Sequence, residues 1–191
     1  MSAEPAARER ILESAYELFS RRGVRAVGVD EVIDRANVAK ATLYRHFPSK
    51  DDLVLAFLRR REEVWTHGWV ETEARRRGTT PEERLLAIFD LFDEWFQRDD
   101  FEGCSFINVM LETAALDHPV GRASADHLER IRDVLRALAI EAGLRDTDAF
   151  ARSFHILMKG SIVQAAEGDR RAARRSQEMA RDLIAKYRSE G

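Results

Sequence analysis

The sequence contains one cysteine and four prolines in 191 residues, and it has no long apolar run. A single cysteine, Cys104, excludes an internal disulfide and is typical of a reducing compartment. The longest apolar runs, such as residues 137–140, are far too short to span a bilayer, so we expect no membrane partner. No charged segment followed by an apolar one opens the chain, and we therefore expect a cytoplasmic protein.

Hydrophobic residues make up 45% and charged residues 34% of the chain, which is the balance of an ordinary globular protein. The net charge of -3 is distributed unevenly. Residues 1–61 carry twelve Lys and Arg against nine Asp and Glu, a charge of +3, and the remainder carries -6. The basic side is therefore N-terminal, where we expect a phosphate-binding surface.

Apolar residues recur with helical periodicity, and no stretch alternates like a half-buried strand. Start and stop signals predict an all-α fold of about nine helices. Capping boxes begin at Ser49 and Thr80, Gly23 and Gly78 end helices, and Asp169 caps the last helix. The predicted helices lie near 5–22, 29–36, 40–47, 50–77, 81–96, 105–116, 119–142, 147–167 and 170–188.

This pattern predicts two parts separated at the Gly78–Pro81 break. Residues 1–50 form a three-helix head, which a long helix over 51–77 links to the rest of the chain. Residues 78–191 form a helical-bundle body.

The stretch 29–47 has the spacing of a helix-turn-helix. Two short helices are joined by three residues, of which Asn37 tolerates the left-handed backbone of a tight turn. When the apolar residues pack against the first helix, the remaining side chains of the third helix face outward. The predicted DNA-binding residues are Lys40, Ala41, Thr42, Tyr44, Arg45 and His46, with Lys50 at the start of the fourth helix.

These side chains suit a duplex. Lys40 and Arg45 can meet phosphates or guanine edges, and Thr42 can bond a base or touch a thymine methyl. Tyr44 offers a hydroxyl to a backbone phosphate, and Lys50 lies among free N–H groups that also favour a phosphate. The alternative interpretation is a small three-helix core with a solvated, charged face.

The run 38–53 resembles the signature of the TetR family of transcriptional regulators, as does the run 11–19 followed by Gly23. The resemblance covers the first third of the chain. It implies a DNA-binding head with Thr42 and Tyr44 facing DNA, and a body that dimerises and holds a small-molecule inducer. Two positions depart from the family, since Gly28 and Ala39 replace hydroxyl residues that usually cap the second and third helices.

The body is rich in aromatic residues, which either line an apolar cavity or fill a core. A cavity also needs polar groups that orient a ligand. The candidate ligand-binding residues are Trp65, Trp69, Phe89, Phe92, Trp95, Phe106, Asn108 and His155. The eighth and ninth helices carry apolar faces, which would form a four-helix dimer interface as in the resembled family, or alternatively an intramolecular core.

The residues predict no catalytic group, metal site or cofactor. Cys104 has no base beside it, and the histidines show no metal-ligand spacing. With the resemblance to the TetR family, we predict a homodimeric, non-enzymatic repressor that binds double-stranded operator DNA until a small hydrophobic inducer releases it. A small-molecule carrier without DNA binding stays open, as does an enzyme with Cys104 beside His118 or His155.

Overall fold

The computed structural model describes residues 3–113 and 117–188, which are almost entirely helical. This part of the chain has no strand and only one isolated bridge, between Leu144 and Arg188. The prediction of an all-α fold with about nine helices is confirmed. The helices are α1 (Ala3–Arg22), α2 (Val29–Ala36), α3 (Lys40–His46), α4 (50–77), α5 (Pro81–Phe96), α6 (Ser105–Thr113), α7 (Pro119–Glu141), α8 (Thr147–Ala166) and α9 (Ala172–Tyr187).

The chain divides into two compact units. The first comprises Met1–Glu63 and Cys104–His127, and the second comprises Val64–Gly103 and Leu128–Gly191. The predicted head lies within the first unit. Its functional separation from a body over 78–191 stays a prediction.

The core of the first unit holds the helix-turn-helix in place. Val32 of α2 and Leu43 of α3 are fully buried, as is Phe57 of α4. The Phe57 ring meets Tyr16 and Phe19 of α1 edge-on, with ring centroids 5.7 Å and 5.5 Å apart. Because α1 and α4 share these rings, α2 and α3 are packed on a fixed support.

Helix α4 is continuous over 50–77, as the sequence predicts, but its middle is not α-helical. Lys50–Arg61 and Thr72–Arg77 are α-helical, whereas Glu62–Glu71 is a π-helix. A π-helix bonds residue i to residue i+5, and it is rare at this length. The Thr72 hydroxyl donates to the carbonyl of His67, five residues back, at 2.7 Å.

The core of the second unit is built around α5. Phe89 and Phe92 of this helix are buried, and the ring centroid of Phe89 lies 5.2 Å from that of Phe154 on α8. Gln177 of α9 is also buried, but its amide donates to the Leu86 carbonyl at 2.9 Å and to Asp90 at 2.8 Å. The buried amide group is therefore hydrogen-bonded.

The local signals for helix starts are mostly confirmed. Ser49 and Thr80 form complete capping boxes with the residues three positions later. Gly28 and Ala39, which precede α2 and α3, make no side-chain capping bond, because neither residue has a side-chain oxygen.

The predicted cap at Asp169 is wrong. The N-cap of α9 is Arg171, whose side chain makes no capping bond. The Asp169 carboxylate instead accepts a hydrogen bond from the Arg171 backbone N–H at 3.1 Å. This bond, to the N–H two residues further on, forms an Asx-turn. The predicted end of the sixth helix near residue 116 lies outside the described residues.

Candidate nucleic-acid interface

The turn between α2 and α3 fixes how the third helix is presented. Asn37 has a φ of 50°, in the left-handed region, and its N–H donates to the Asp34 carbonyl at 3.1 Å. The Val38 N–H donates to the Ile33 carbonyl at 3.3 Å. These bonds end α2 and redirect the chain within three residues, so that α3 packs one face on the unit and exposes the other.

The residues of the exposed face match the predicted interface in part. Lys40, Ala41, Tyr44 and Arg45 are exposed, and 40% of Tyr44 is accessible. Thr42 and His46 are half-buried, and the Nε2 of His46 lies away from solvent. The outward groups are thus two cations and a phenol beside a small side chain, which is a suitable set for a duplex.

Lys50 already has a partner inside the protein. Its ammonium donates to the Val27 carbonyl, 2.7 Å away, in the loop before α2. The capping box at Ser49 uses the Asp52 N–H and carboxylate at the same helix start. Lys50 can therefore contact a phosphate only if its ammonium leaves the Val27 carbonyl or donates to the carbonyl and the phosphate together.

Carboxylates accompany several cations of the first unit. Lys40 Nζ lies 3.0 Å from Asp30 Oδ1, and both side chains are largely exposed. The hydrogen bond and the charge of Asp30 raise the pKa of Lys40 above its ordinary value. Two further pairs join α1 to α2, Arg22 with Glu31 and Arg35 with Glu17.

A carboxylate of α6 approaches the loop between α1 and α2. Glu112 accepts a hydrogen bond from the Arg25 backbone N–H at 2.8 Å. Gly23 has a φ of +79°, and a Cβ at that position would overlap the Glu112 carboxylate. The contact joins residues far apart in the sequence, and nothing local in the sequence indicates it.

Five of the predicted ligand-binding residues form one aromatic cluster in the second unit. The ring of Trp65 lies 5.9 Å from both Trp69 and Phe92 and 5.6 Å from Trp95. Phe89 continues the cluster through Phe92. These rings contact one another, and all except Trp69 are buried, which favours a core role for most of them.

The other three predicted ligand residues lie apart from this cluster or in the other unit. Phe106 is buried in the first unit, where its ring stacks on His127 at 5.2 Å, and Asn108 is exposed. His155 is buried in the second unit, and burial lowers its pKa to about 3. Its Nδ1 lies 3.4 Å from the guanidinium of Arg132, which can only donate. The neutral ring therefore carries its proton on Nε2.

An open groove of about 650 Å³ lies along α8 and α9. Ile156, Val163 and Met179 line the groove and are 69%, 49% and 56% exposed. Gly160 and Ser161 line the groove and leave space for a close approach. A second, smaller depression continues along the same face past Leu157 and Met179.

The described residues offer little for catalysis. They contain no group of three or more His, Cys, Asp or Glu side chains that could hold a metal ion. Cys104 is buried and free of disulfides. His118 Nε2 lies 3.3 Å from Asp51 Oδ2, and the His155 ring lies beside the Arg132 guanidinium. The described polar side-chain partners of these two histidines are thus Asp51 and Arg132. None of the described helices has the length and apolar character needed to cross a membrane.

Comparison with known proteins identifies relatives of this chain. Residues 11–57 match the family model of bacterial regulatory proteins of the tetR family. The HTH-type transcriptional activator FasR of Mycolicibacterium smegmatis is 39% identical over 92 residues, which cover 48% of this chain and 41% of FasR. The HTH-type transcriptional repressor KstR of Rhodococcus jostii is 36% identical over 140 residues, covering 73% of this chain and 62% of KstR. The matched parts thus span less than two thirds of either relative.

A solved structure is similar over nearly the whole length. It is a TetR-family transcriptional regulator from Streptomyces coelicolor, 28% identical, with a TM-score of 0.86 and 96% of both chains covered. These relatives are transcription regulators by name, and none of them is named as an enzyme.

Proposed function

We propose that the chain belongs to the TetR family of bacterial regulatory proteins and is a DNA-binding transcriptional repressor released by a small hydrophobic ligand. One observation carries the proposal. Helix α3 buries Leu43 while it exposes Lys40, Tyr44 and Arg45 on one face. An exposed helix of this kind, preceded by a three-residue turn, fits the major groove.

The active form is a homodimer. A single helix-turn-helix reaches only one half-site, and two of them in successive major grooves lie about 34–36 Å apart. The apolar groove along α8 and α9 supports this assembly, because a second copy would cover Ile156, Val163 and Met179. The operator is accordingly near-palindromic, and the protein works in the cytoplasm, where the chromosome is.

The inducer binds among the aromatic residues of the chain. Trp65, Trp69 and Trp95 lie together, and Trp69 is only half-buried, so one edge of the cluster is accessible to an apolar molecule. The inducer releases DNA only if it binds the DNA-incompetent state more tightly than the competent one.

The proposal is tested by mapping the DNA fragments that the protein protects across the genome, followed by gel shifts on those fragments. We expect ligand-free dimer to shift them with an affinity that falls steeply as salt rises. Absence of any shift at low salt, with folded dimer, would contradict the proposal. Transcription from the same fragments then decides the sign, since FasR is named an activator and KstR a repressor.

Two substitutions in α3 test how the helix faces the duplex. Thr42→Ala should change the preference among bases, because a hydroxyl or methyl contact to a base edge is lost. Tyr44→Phe should weaken binding to all sequences alike, since it removes a bond to phosphate. If both variants bind as the wild type does, α3 is oriented differently on DNA.

A further inference from the structure

The pair of Lys40 and Asp30 joins the two helices of the DNA-binding motif directly. Lys40 is the first residue of α3, and Asp30 is the second residue of α2. Their charged atoms are 3.0 Å apart, and the side chains are 63% and 79% exposed. Both groups are thus accessible at the start of α3, beside the face that the proposed function assigns to DNA.

A cation that already has a carboxylate partner contributes less to DNA binding. When Lys40 meets a phosphate, it releases a counterion from DNA, but it must also leave or share Asp30. The separated carboxylate then attracts a cation from solution, which offsets the ion released. The carboxylate also repels the nearby phosphates.

The surroundings of Asp30 also disfavour a phosphate. The N-terminus of a helix attracts anions, and in α2 this position holds Asp30 and Glu31. Gly28, the N-cap, offers no side-chain acceptor. Glu31 differs from Asp30 in its partner, which is Arg22 of α1 and not a residue of α3.

From these contacts we propose that Asp30 is an internal competitor for Lys40, which lowers the affinity of the motif for DNA of any sequence and so limits non-specific binding. The inference rests on the proposed DNA-binding function and deepens it. Asp30 is a positioning residue, since it acts through the ammonium of Lys40 and need not touch DNA itself.

The test is a salt titration of binding to a duplex of random sequence, for which no operator is needed. Asp30→Asn should bind about three- to tenfold more tightly at low salt. The plot of log affinity against log salt should become steeper by about one unit, since Lys40 then acts as an unpaired cation. A purely structural role of Asp30 would not change this slope. Asp30→Glu keeps the carboxylate and should retain wild-type affinity and slope.

Two controls assign the effect to the pair. Glu31→Gln makes the same change of charge in the same turn of α2, and it should shift the affinity less than Asp30→Asn does. In a Lys40→Met background, Asp30→Asn should leave the salt slope unchanged, because the competed cation is absent.

Several results would overturn the inference. They are weaker binding by Asp30→Asn, an equal gain from Glu31→Gln, or a change of slope that persists in the Lys40→Met background. Wild-type protein that fails to bind the random duplex even at low salt would instead contradict the proposed function. The two failures are therefore distinguishable.

Discussion

Gly23 has a backbone conformation that favours glycine, and the end of the Glu112 side chain would have to move to admit a Cβ there. Its φ of +79° is unfavourable for residues with a Cβ, and the Glu112 carboxylate occupies the space a Cβ would take. Gly23→Ala should therefore lower the free energy of unfolding by about 1–2 kcal/mol, measured by urea denaturation. Adding Glu112→Ala should recover the part due to overlap.

Gly28 provides the matched control. Its φ is -78°, and nothing lies within 4 Å of a Cβ placed there. Gly28→Ala should have only a small net effect, because alanine reduces the entropy of the unfolded chain but is a poorer N-cap than glycine. A loss at Gly23 no larger than that at Gly28 would contradict the left-handed backbone at Gly23, and a double variant no more stable than Gly23→Ala would contradict the overlap with Glu112.

His155 predicts a dependence of stability on pH. Its pKa of about 3 in the folded protein lies below the ordinary 6.5, mainly because burial disfavours the charged ring. Between about pH 3 and pH 6.5, His155 therefore binds a proton in the unfolded chain but not in the folded one. Stability is therefore lost as the pH falls below about 6.5.

The measurement compares wild type with His155→Gln, which has no titrating ring. From about pH 6.5 to 4.5 the wild type should lose about 2–3 kcal/mol more than the variant. Carboxylates that protonate in this range are present in both proteins and cancel in the difference. Parallel curves would mean that His155 is accessible to protons in the folded state.

The sequence predicts the role of a residue where its partners lie only a few positions away. The backbone at Asn37, the boxes at Ser49 and Thr80 and the missing caps are all decided within four residues, where sequence rules apply. The partners Arg25 and Glu112 are 87 positions apart, and no periodicity relates them. The Lys40–Asp30 pair is intermediate, because it depends on the angle between two helices.

At the scale of elements, α4 offers a pair of threonines with opposite environments. The hydroxyl of Thr66 is buried in the π-helix, and no partner for it is found among the described residues. The hydroxyl of Thr72 donates to the His67 carbonyl. Valine has nearly the same shape as threonine and lacks the hydroxyl, so the same substitution tests both.

Thr66→Val should raise the free energy of unfolding by about 1 kcal/mol, because it removes a buried hydroxyl without a partner. Thr72→Val should lower it by a similar or smaller amount, because the His67 carbonyl loses its donor. Chemical denaturation of both variants measures the two signs. Changes of equal sign would mean that the π-helix is not the native geometry of this segment.

The π-helix itself could not be predicted from the sequence. The segment is flanked by residues that favour helix. The buried residues Trp65, Val70 and Ala74 are five and four positions apart, a spacing that an α-helix with a wide apolar face also accommodates. The sequence thus predicts the existence and ends of α4, but not its hydrogen-bond pattern.

At the scale of the whole molecule, the groove along α8 and α9 predicts the oligomeric state. Met179 lines the groove and is 56% exposed. Met179→Glu places a charge on the proposed dimer face, so we expect monomers in sedimentation equilibrium at concentrations where the wild type is dimeric. DNA affinity and the salt slope should both fall, since only one head engages at a time.

Leu111 provides the control for this test. It is 68% exposed, lies on α6, and takes no part in the groove. Leu111→Glu should leave the protein dimeric and able to bind DNA. Dissociation by Leu111→Glu, or a dimer that survives Met179→Glu, would place the interface elsewhere.

The π-helix in α4 also has an evolutionary consequence. A π turn holds about one residue more than an α turn over the same stretch of axis, so relatives with a regular helix here need one residue fewer. Alignments of such relatives should therefore show a single-residue gap opposite residues 62–71, and deletion of one residue there should be better tolerated than deletion in either flanking α-helical part.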